Sequence, residues 1–231
     1  MPVPGRDVTL QPSRRLLTDD VFDRLRDDIV RGRLKPGERI HDVELAAHLG
    51  LSRATVRTAL LRLTDIGLVE AVPNLYTRVT FIDLQRYLDT QDTAHALYTF
   101  AARFGTPLLR DEHIEAMRSW SARLGHRHRA DLEAIYSGEV IKGFFTAFVD
   151  SLDNTPLRNT IARLWPSAQR VLARYAHLLP VPEIDAAFLA VVEAAARRDE
   201  AGAASALTAY YEGPLEVFHQ RLRALPEFAR V

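Results

Sequence analysis

The stretch from Val43 to Leu63 reads VELAAHLGLSRATVRTALLRL and decides the fold of the N-terminal part of the chain. It predicts two short amphipathic helices separated at Gly50, because glycine supplies the backbone freedom that a tight turn needs. Ser52 can cap the second helix by accepting a backbone N–H bond with its side chain. The second helix carries an apolar stripe that can be buried against the first, formed by Val56, Leu60 and Leu63.

Polar side chains at the start of the second helix are suited to contact DNA. They are Ser52, Arg53, Thr55 and Arg57. Guanidinium groups reach guanine edges or phosphates, while hydroxyls and N-terminal amides hold phosphate oxygens. The stretch therefore predicts a helix-turn-helix whose second helix enters DNA. The alternative is an ordinary helical hairpin with a solvated basic face.

The segments on either side extend this motif to a winged domain. Residues 68–72 and 77–81 are short, β-favouring runs separated by a turn-like segment, and they predict a hairpin. Upstream, the apolar pattern predicts a helix from Asp19 to Arg31, with Thr18 as its N-cap and Gly32 as its stop. The predicted order is helix, helix, recognition helix and two-stranded wing.

These residues resemble the winged helix-turn-helix of GntR-family transcriptional regulators over roughly residues 18–80. The matching positions are Arg31 to Ile40, Glu44 to Ala46, Leu49 to Arg53, Val56-Arg57, Ala59-Leu60, Leu63 and Gly67 to Val69. The resemblance implies that Arg53, Thr55 and Arg57 contact DNA, with Ser52 at the start of the helix.

The tip of the predicted wing departs from the family pattern. Family members usually have glycine there, whereas this chain has Leu75 and Tyr76. A bulky tip could pack on the sugar backbone of DNA, or it could fail to enter the minor groove. Tyr76 is therefore a candidate DNA contact, and both outcomes stay open at this point.

The charge balance of the chain restricts how it could bind nucleic acid. Its 231 residues include 30 basic and 30 acidic side chains, which argues against a protein that coats nucleic acid generally. Residues 1–80 hold 13 basic and 11 acidic side chains, a net charge of +2, and the remainder holds 17 and 19, a net charge of −2. DNA binding would depend on a local patch.

Composition also indicates the compartment. The chain has no cysteine, so neither disulfides nor thiolate metal sites are available, which fits a reducing cytosol. No apolar run approaches the roughly 18 residues of a membrane span, and the first residues lack the apolar core of a signal peptide. We therefore expect a soluble, cytoplasmic protein with a mobile N-terminal arm over residues 1–15.

From about Asp83 onward, helical periodicity dominates and no strand pattern or internal repeat is found. The predicted helices are 84–104, 111–125, 130–152, 157–178, 183–198 and 200–222. Gly213-Pro214 should kink or interrupt the last one. The predicted fold is thus mainly α, with a winged helix-turn-helix over residues 16–81 followed by an all-helical bundle over residues 83–231.

The bundle is similar to the helical ligand-binding domain of the FadR subfamily, called FCD. The similarity rests on landmarks at Tyr98 to Arg103, Asn154 to Leu157 and Phe188 to Asp199. That subfamily commonly holds a divalent metal with one aspartate and three histidines, and the metal helps to bind a carboxylate effector. On this chain the four ligand positions fall on Ile141, Phe145, Phe188 and Tyr210. We therefore expect no metal and no other cofactor.

This replacement changes what a cavity in the bundle could hold. An apolar, aromatic lining favours nonpolar ligands by roughly 25 cal/mol per Å² of buried surface. We expect an apolar or aromatic effector, with Tyr210 and Tyr98 supplying oriented hydrogen bonds. The candidate effector-binding residues are Tyr98, Ile141, Phe145, Phe188 and Tyr210. The alternative is a solid core, since phenylalanines at helical spacing are typical of one, namely Phe144, Phe145, Phe148 and Phe188.

The sequence thus predicts a homodimeric transcriptional regulator, a repressor by its resemblance, that binds double-stranded operator DNA and responds to a small effector. One alternative is an effector-insensitive DNA-binding protein whose helical domain serves only for dimerisation. Another is an α-helical enzyme or binding module with a vestigial winged domain. No phosphate loop, serine elbow or zinc-protease motif is present, so we do not expect an enzyme.

Overall fold

The computed structural model describes residues 12–73, 75–125 and 140–228. The chain divides into two compact units: residues up to 29 together with 34–80, and residues 30–33 together with 81 onward. We call them the winged unit and the helical unit. Within the described residues, no helix is both long enough and apolar enough to cross a membrane.

The described residues up to position 80 form three helices and a hairpin. They are α1 (Pro12–Val30), α2 (Asp42–Leu49), α3 (Arg53–Asp65), β1 (Val69–Val72) and β2 (Tyr76–Val79). This confirms the predicted order of helix, helix, recognition helix and wing. The core of the unit includes Val56 and Leu63 from α3, both fully buried, together with the half of α1 that carries Val21 and Leu25.

The first helix begins earlier than predicted. A start at Asp19 with Thr18 as N-cap is wrong, because α1 already begins at Pro12. The end of the predicted arm over residues 1–15 therefore belongs to α1, and residues 1–11 lie outside the described part of the chain.

The turn between α2 and α3 has the predicted chemistry. Gly50 adopts a left-handed conformation with φ 64° and ψ 30°, and its N–H reaches the carbonyls of Ala46 and Ala47. Ser52 is extended, and its hydroxyl accepts the N–H of Thr55 at 3.2 Å. Gly50 ends α2 and Ser52 begins α3, so the connection is only three residues long. This short connection fixes the direction of α3 relative to α2.

The wing has a third backbone segment that the sequence analysis did not predict. β1 and β2 pair antiparallel, from Val69 with Val79 to Val72 with Tyr76. Residues 37–40 run along the other edge of β2, where the Ile40 N–H donates to the Thr77 carbonyl at 2.8 Å. The segment just before α2 is thereby held against the wing. The predicted second strand was drawn two residues too far, since β2 ends at Val79 and Phe81 is exposed.

The helical unit contains seven described α-helices and, in its described residues, no strand. They are α4 (Leu84–Gly105), α5 (Asp111–Gly125), α6 (Val140–Ser151), α7 (Thr155–Tyr175), α8 (Val181–Ala196), α9 (Glu200–Tyr210) and α10 (Glu216–Arg223). Short 3₁₀ turns follow α4 and α7. Residues 126–139, where the predicted helix 130–152 would begin, lie outside the described residues.

Prolines explain where the observed helices differ from the predicted ones. α7 and α8 begin two residues earlier than predicted because Pro156 and Pro182 fit their first turns. Pro166 lies inside α7, where it removes one backbone hydrogen bond. The predicted interruption at Gly213-Pro214 takes the form of a π-helical turn over Tyr211–Leu215 that separates α9 from α10.

Candidate functional site

The start of α3 presents two arginines on one exposed face. Arg53 and Arg57 are one helical turn apart and both are exposed, whereas Val56 between them is buried. Thr55 is half-buried, and its hydroxyl lies 2.8 Å from the Ser52 hydroxyl. The free N–H groups of the first turn and the two guanidinium groups make this helix end electropositive.

Arg53 is held by an acidic side chain from the preceding helix. Its Nε donates to Oδ2 of Asp42 at 2.9 Å, and the arginine and aspartate side chains are 60% and 25% exposed. The hydrogen bond from Arg53 holds the pKa of Asp42 below its ordinary value. Asp42 was not predicted from the sequence, because it begins α2 while the turn to α3 follows the end of that helix, and only the fold brings it to Arg53.

A groove of about 840 Å³ runs between the recognition helix and the wing. Arg53, Arg57 and Tyr76 all line it, so the structure brings together three of the five predicted DNA contacts. Ser52 and Thr55 are not on its walls. Exposed apolar side chains also face the groove, from α2, α3 and the wing tip: Val43, Leu61 and Leu75.

Tyr76 is flanked by two arginines that the sequence analysis did not select. The guanidinium carbon of Arg78 lies 4.5 Å from the centre of the Tyr76 ring, and that of Arg39 lies 5.9 Å away. Arg78 also pairs with Glu70 across the hairpin. Arg39 reaches the wing because its segment bridges to Arg78 on β2, a pairing that local sequence does not reveal.

Arg62 occupies the opposite side of α3. Its Nη1 donates to Oδ1 of Asp19 at 2.5 Å, and its guanidinium lies 4.2 Å from the ring centre of Phe22, both on α1. The side chain therefore stabilises the packing of α3 on α1 and points away from the groove that Arg53 and Arg57 line. This agrees with the predicted helical phase.

In the helical unit, aromatic side chains from four helices meet. Phe145 on α6 lies 4.8 Å from Tyr98 on α4, 5.4 Å from Phe188 on α8 and 5.7 Å from Tyr210 on α9, measured between ring centres. The structure thus brings together positions that the family pattern assigns to metal ligands missing from this chain. Phe188 also stacks on Phe144 at 4.2 Å.

A small cavity borders this cluster. The cavity has a volume of about 30 Å³, measured as the space open to the centres of water-sized molecules. This is room for one or two waters. Tyr98, Ile141, Phe145 and Tyr210 line it, and Phe188 packs against Phe145 and Tyr210 without reaching the wall. None of the described residues on the wall carries a formal charge.

The polar groups at the cavity are the phenols of four tyrosines, the indole of Trp165, the hydroxyl of Thr90 and the amide of Gln91. Tyr87 and Tyr211 join Tyr98 and Tyr210 on the wall, and burial raises the pKa of Tyr87, Tyr98 and Tyr211, which keeps these phenols neutral. The hydroxyl of Tyr87 and the indole N–H of Trp165 are buried and have no hydrogen-bond partner among the described residues. Leaving such a group unpaired costs about 1–3 kcal/mol. The sequence analysis missed both residues, since an isolated tyrosine or tryptophan gives no sign of being unpaired.

The described residues contain no group of three or more histidine, cysteine, aspartate or glutamate side chains that could hold a metal ion.

Two family models account for most of the chain. Residues 17–79 match the bacterial regulatory proteins of the gntR family, and residues 89–213, more than half of the chain, match the FCD domain. The chain belongs to the GntR family and carries an FCD domain.

Relatives and solved structures agree with the family. The chain is 35% identical over 81 residues to an uncharacterized HTH-type transcriptional regulator in an unstable DNA locus of Streptomyces ambofaciens, a match that spans 35% of this chain and 34% of that protein. A longer match, 25% identical over 200 residues, covers 85% of this chain and 88% of a Paenarthrobacter nicotinovorans protein named "Probable D-xylose utilization operon transcriptional repressor". The chain spans about a third or less of the length of the first curated relatives that it matches.

Comparison of structures extends the likeness to both units. E. coli McbR/YncC superposes with a TM-score of 0.70 at 20% identity, covering 89% of this chain and 98% of that one. The GntR-type winged helix-turn-helix and the helical FCD domain are thus the fold, as predicted. The family and the relatives are regulators and not enzymes, which agrees with the prediction for this chain.

Proposed function

We propose that this GntR-family protein is a cytoplasmic transcriptional repressor that binds a pseudo-palindromic operator as a homodimer and is released from it by an uncharged aromatic effector. The observation that carries DNA binding is the shared exposed face of Arg53 and Arg57 at the capped start of α3, beside the wing. A helix end of this kind fits the major groove, about 12 Å wide.

Each predicted contact has a proposed role. Arg57, which has no carboxylate bound to it in the described structure, contacts a base edge. Arg53 contacts a second base edge, and its ion pair with Asp42 holds its side chain in position. Ser52 and Thr55 hold a phosphate with their hydroxyls and the N-terminal amides. Tyr76 packs on the sugar–phosphate backbone, since the flanking Arg39 and Arg78 attract phosphates to the same place.

The chemistry of the cavity supports an uncharged effector. A carboxylate would have to leave water for a wall on which the described residues offer no cation and no metal group, which is costly. The unpaired Tyr87 hydroxyl and Trp165 N–H can both donate hydrogen bonds. We therefore propose a mainly aromatic ligand that carries a neutral acceptor, such as a ketone, ester or phenol oxygen.

The ligand requires the cavity to open. A space of about 30 Å³ holds water and not an aromatic ring, so part of the wall must move. Three half-buried residues of the wall lie on α7 directly before Pro166, where the helix lacks a backbone hydrogen bond: Ile161, Leu164 and Trp165. Opening there would couple ligand binding to the position of α7. A coupling free energy of about 1–3 kcal/mol is sufficient to change operator occupancy.

Repression and dimerisation are proposed from the family context. The Paenarthrobacter relative is named as a repressor, and a two-fold dimer would place two recognition helices on half-sites about one helical turn apart. The sugar in that relative's name is not carried over, because the cavity wall here is mainly apolar.

The test of DNA binding is selection of bound duplexes from a random library at two salt concentrations. We expect enrichment of a palindrome that salt weakens and that Arg53→Ala plus Arg57→Ala abolishes. Arg163→Ala plus Arg197→Ala removes the same charge from exposed positions of the helical unit and should leave the selection intact. No enriched sequence at either salt would overturn the proposal.

The test of the effector is a thermal-shift screen with acetophenone, indole, phenol and benzoate. We expect acetophenone and phenol, which carry a neutral acceptor, to raise the melting temperature more than indole, which carries none, and we expect benzoate to fail, with or without added Zn²⁺. If none of them raises it, the helical unit serves as an effector-insensitive dimerisation domain. If benzoate with Zn²⁺ alone raises it, the proposed ligand class is wrong.

A further inference from the structure

The outer face of α4 carries aromatic side chains that nothing in the helical unit covers among the described residues. Phe100 and Phe104 lie one helical turn apart and are 46% and 51% exposed, and Leu108, in the 3₁₀ turn that follows α4, is 55% exposed. The two phenyl rings touch, with centres 4.7 Å apart. The opposite face of the same helix is buried through Tyr98, Ala101 and Ala102. A contiguous exposed aromatic stripe of this kind is typical of an interaction surface.

One acidic and one basic side chain of the same face lie at equal distances from a small residue, and Asp92, also exposed there, faces the position of Phe100 in the same symmetry. Asp89 and Arg103 are exposed and lie seven residues before and seven after Ala96, which is itself exposed. Seven residues are close to two helical turns, so all three side chains share one side of α4. Asp89 also accepts a hydrogen bond from Gln85 at 2.8 Å, which fixes its carboxylate on this side.

We propose that α4 packs antiparallel against α4 of a second copy of this chain, with the two-fold axis passing beside Ala96. The axis would set Asp89 of each copy opposite Arg103 of the other, so the same two residues make two ion pairs. Phe100 and Phe104 would cover the partner helix on either side of the axis. This inference names the surface of the homodimer proposed above and rests on that dimer.

A second copy fits this surface better than an unrelated partner does. An isologous interface must be complementary to itself, and the spacing of one acid and one base at equal distances from an alanine meets that condition. Alanine at the axis lets two helices approach to about 8–10 Å, the usual distance between packed helices. An unrelated partner would require no such symmetry.

Charge reversal tests the pairing. We expect Asp89→Arg to raise the dimer dissociation constant by about tenfold or more, because two attractive pairs become repulsive, and Arg103→Asp to do the same. The double variant restores both pairs and should recover wild-type dimerisation. An equimolar mixture of the two single variants should form heterodimers, since each then meets its opposite charge. Sedimentation velocity over a range of concentrations measures all four.

Controls on α8 separate the surface from a general effect of charge. Glu193→Arg makes the same charge change as Asp89→Arg, and Leu189→Asp matches Phe104→Asp at another exposed apolar position. We expect Phe104→Asp to weaken the dimer by at least about tenfold and both α8 variants to leave it unchanged.

Cross-linking gives a direct test because the chain has no cysteine of its own. Ala96→Cys would place a single thiol next to its symmetry mate, within the roughly 4.4–6.8 Å Cα separation that a disulfide tolerates. We expect a covalent dimer on mild oxidation, and none from Ala190→Cys, at an exposed alanine of α8.

The outcomes separate this inference from the proposed dimer. A wild-type chain that stays monomeric at all concentrations overturns both. A dimer that is unaffected by Asp89→Arg and Phe104→Asp, or that Ala96→Cys does not cross-link, overturns the α4 surface and leaves the dimer standing. Failure of the double reversal to restore dimerisation overturns the antiparallel pairing.

Discussion

Asp42 and Arg53 form an ion pair of 2.9 Å that joins the first turn of one helix to the first turn of the next. The pair limits the rotamers that Arg53 can adopt, and it places a carboxylate on the groove that the arginine lines. A fixed guanidinium discriminates between bases better than a free one, because less side-chain entropy is lost on contact. The nearby carboxylate meanwhile repels phosphate.

Asp42→Asn should therefore loosen specificity while it strengthens non-specific binding. We expect the difference in binding free energy between the selected operator and a scrambled duplex to shrink by about 1 kcal/mol, with tighter binding to the scrambled duplex. Fluorescence anisotropy on both duplexes at one salt concentration measures this. Glu44→Gln removes a charge from the same groove without a bond to Arg53, and it should tighten both duplexes equally. Equal effects of the two substitutions would show that Asp42 does not position Arg53.

Arg57→Ala should weaken operator binding by about 1–3 kcal/mol if the guanidinium reads a base, and relax the preference at a single position of the selected site. A uniform loss across sequences, with a lower salt slope, would mean that Arg57 contacts only phosphate. Library selection repeated with the variant distinguishes the two.

Arg62→Ala provides the structural contrast on the same helix. It removes the pair with Asp19 and the contact with Phe22, so we expect a loss of about 0.5–1 kcal/mol in the free energy of unfolding. Operator affinity of the folded protein should change little. Urea unfolding and anisotropy measure the two effects, and a sequence-specific loss as large as that of Arg57→Ala would contradict the orientation of α3.

Tyr87→Phe should stabilise the effector-free protein. The hydroxyl is buried and has no partner in the described part of the chain, so its removal relieves about 1–3 kcal/mol. The same change should reduce the thermal shift produced by acetophenone. Tyr175→Phe is the control, because that hydroxyl donates to Glu227 at 3.3 Å and its removal should not stabilise the protein. A lower melting temperature for Tyr87→Phe would show that the hydroxyl already has a partner.

His219 should make the helical unit sensitive to acid. Burial lowers the pKa of this imidazole below its ordinary value of 6.5, although Glu216 opposes the shift. The unfolded chain then binds the proton more readily than the folded one, so the free energy of unfolding falls as pH drops through about 6.5 toward the lower folded value. We expect wild type to lose more stability between about pH 7.5 and about pH 5.5 than His219→Gln does in urea unfolding. Equal losses would contradict this assignment.

Local chemistry makes the winged unit predictable from sequence. Gly50 and Ser52 each have one main use at their positions, a left-handed turn and a helix cap, so their residue types alone predict the turn. Pairing over distance is what local sequence does not reveal. Arg39 lies beside Tyr76 only because its segment joins the edge of β2, and Asp42 meets Arg53 only once the turn has aimed α3.

In the helical unit, periodicity locates the helices but not the cavity. Phe145, Phe188 and Tyr210 are found by comparison with a family pattern, and they do meet, yet which of them reaches the wall depends on packing. Phe188 and Tyr210 are equally typical of a core by type and spacing. Unpaired groups such as the Tyr87 hydroxyl are properties of the folded state, and no local pattern encodes them.

The π-helical turn at Tyr211–Leu215 has a consequence for how the family can diverge. Such a turn holds one residue more than an α-helical turn, and here it lets two consecutive residues, Tyr210 and Tyr211, both border the cavity. Loss of one residue within it would turn the segment into regular helix and keep the register of the buried Phe218 and Leu222. Natural variation in length at this point could therefore exchange one binding preference for another while the rest of the bundle is inherited unchanged.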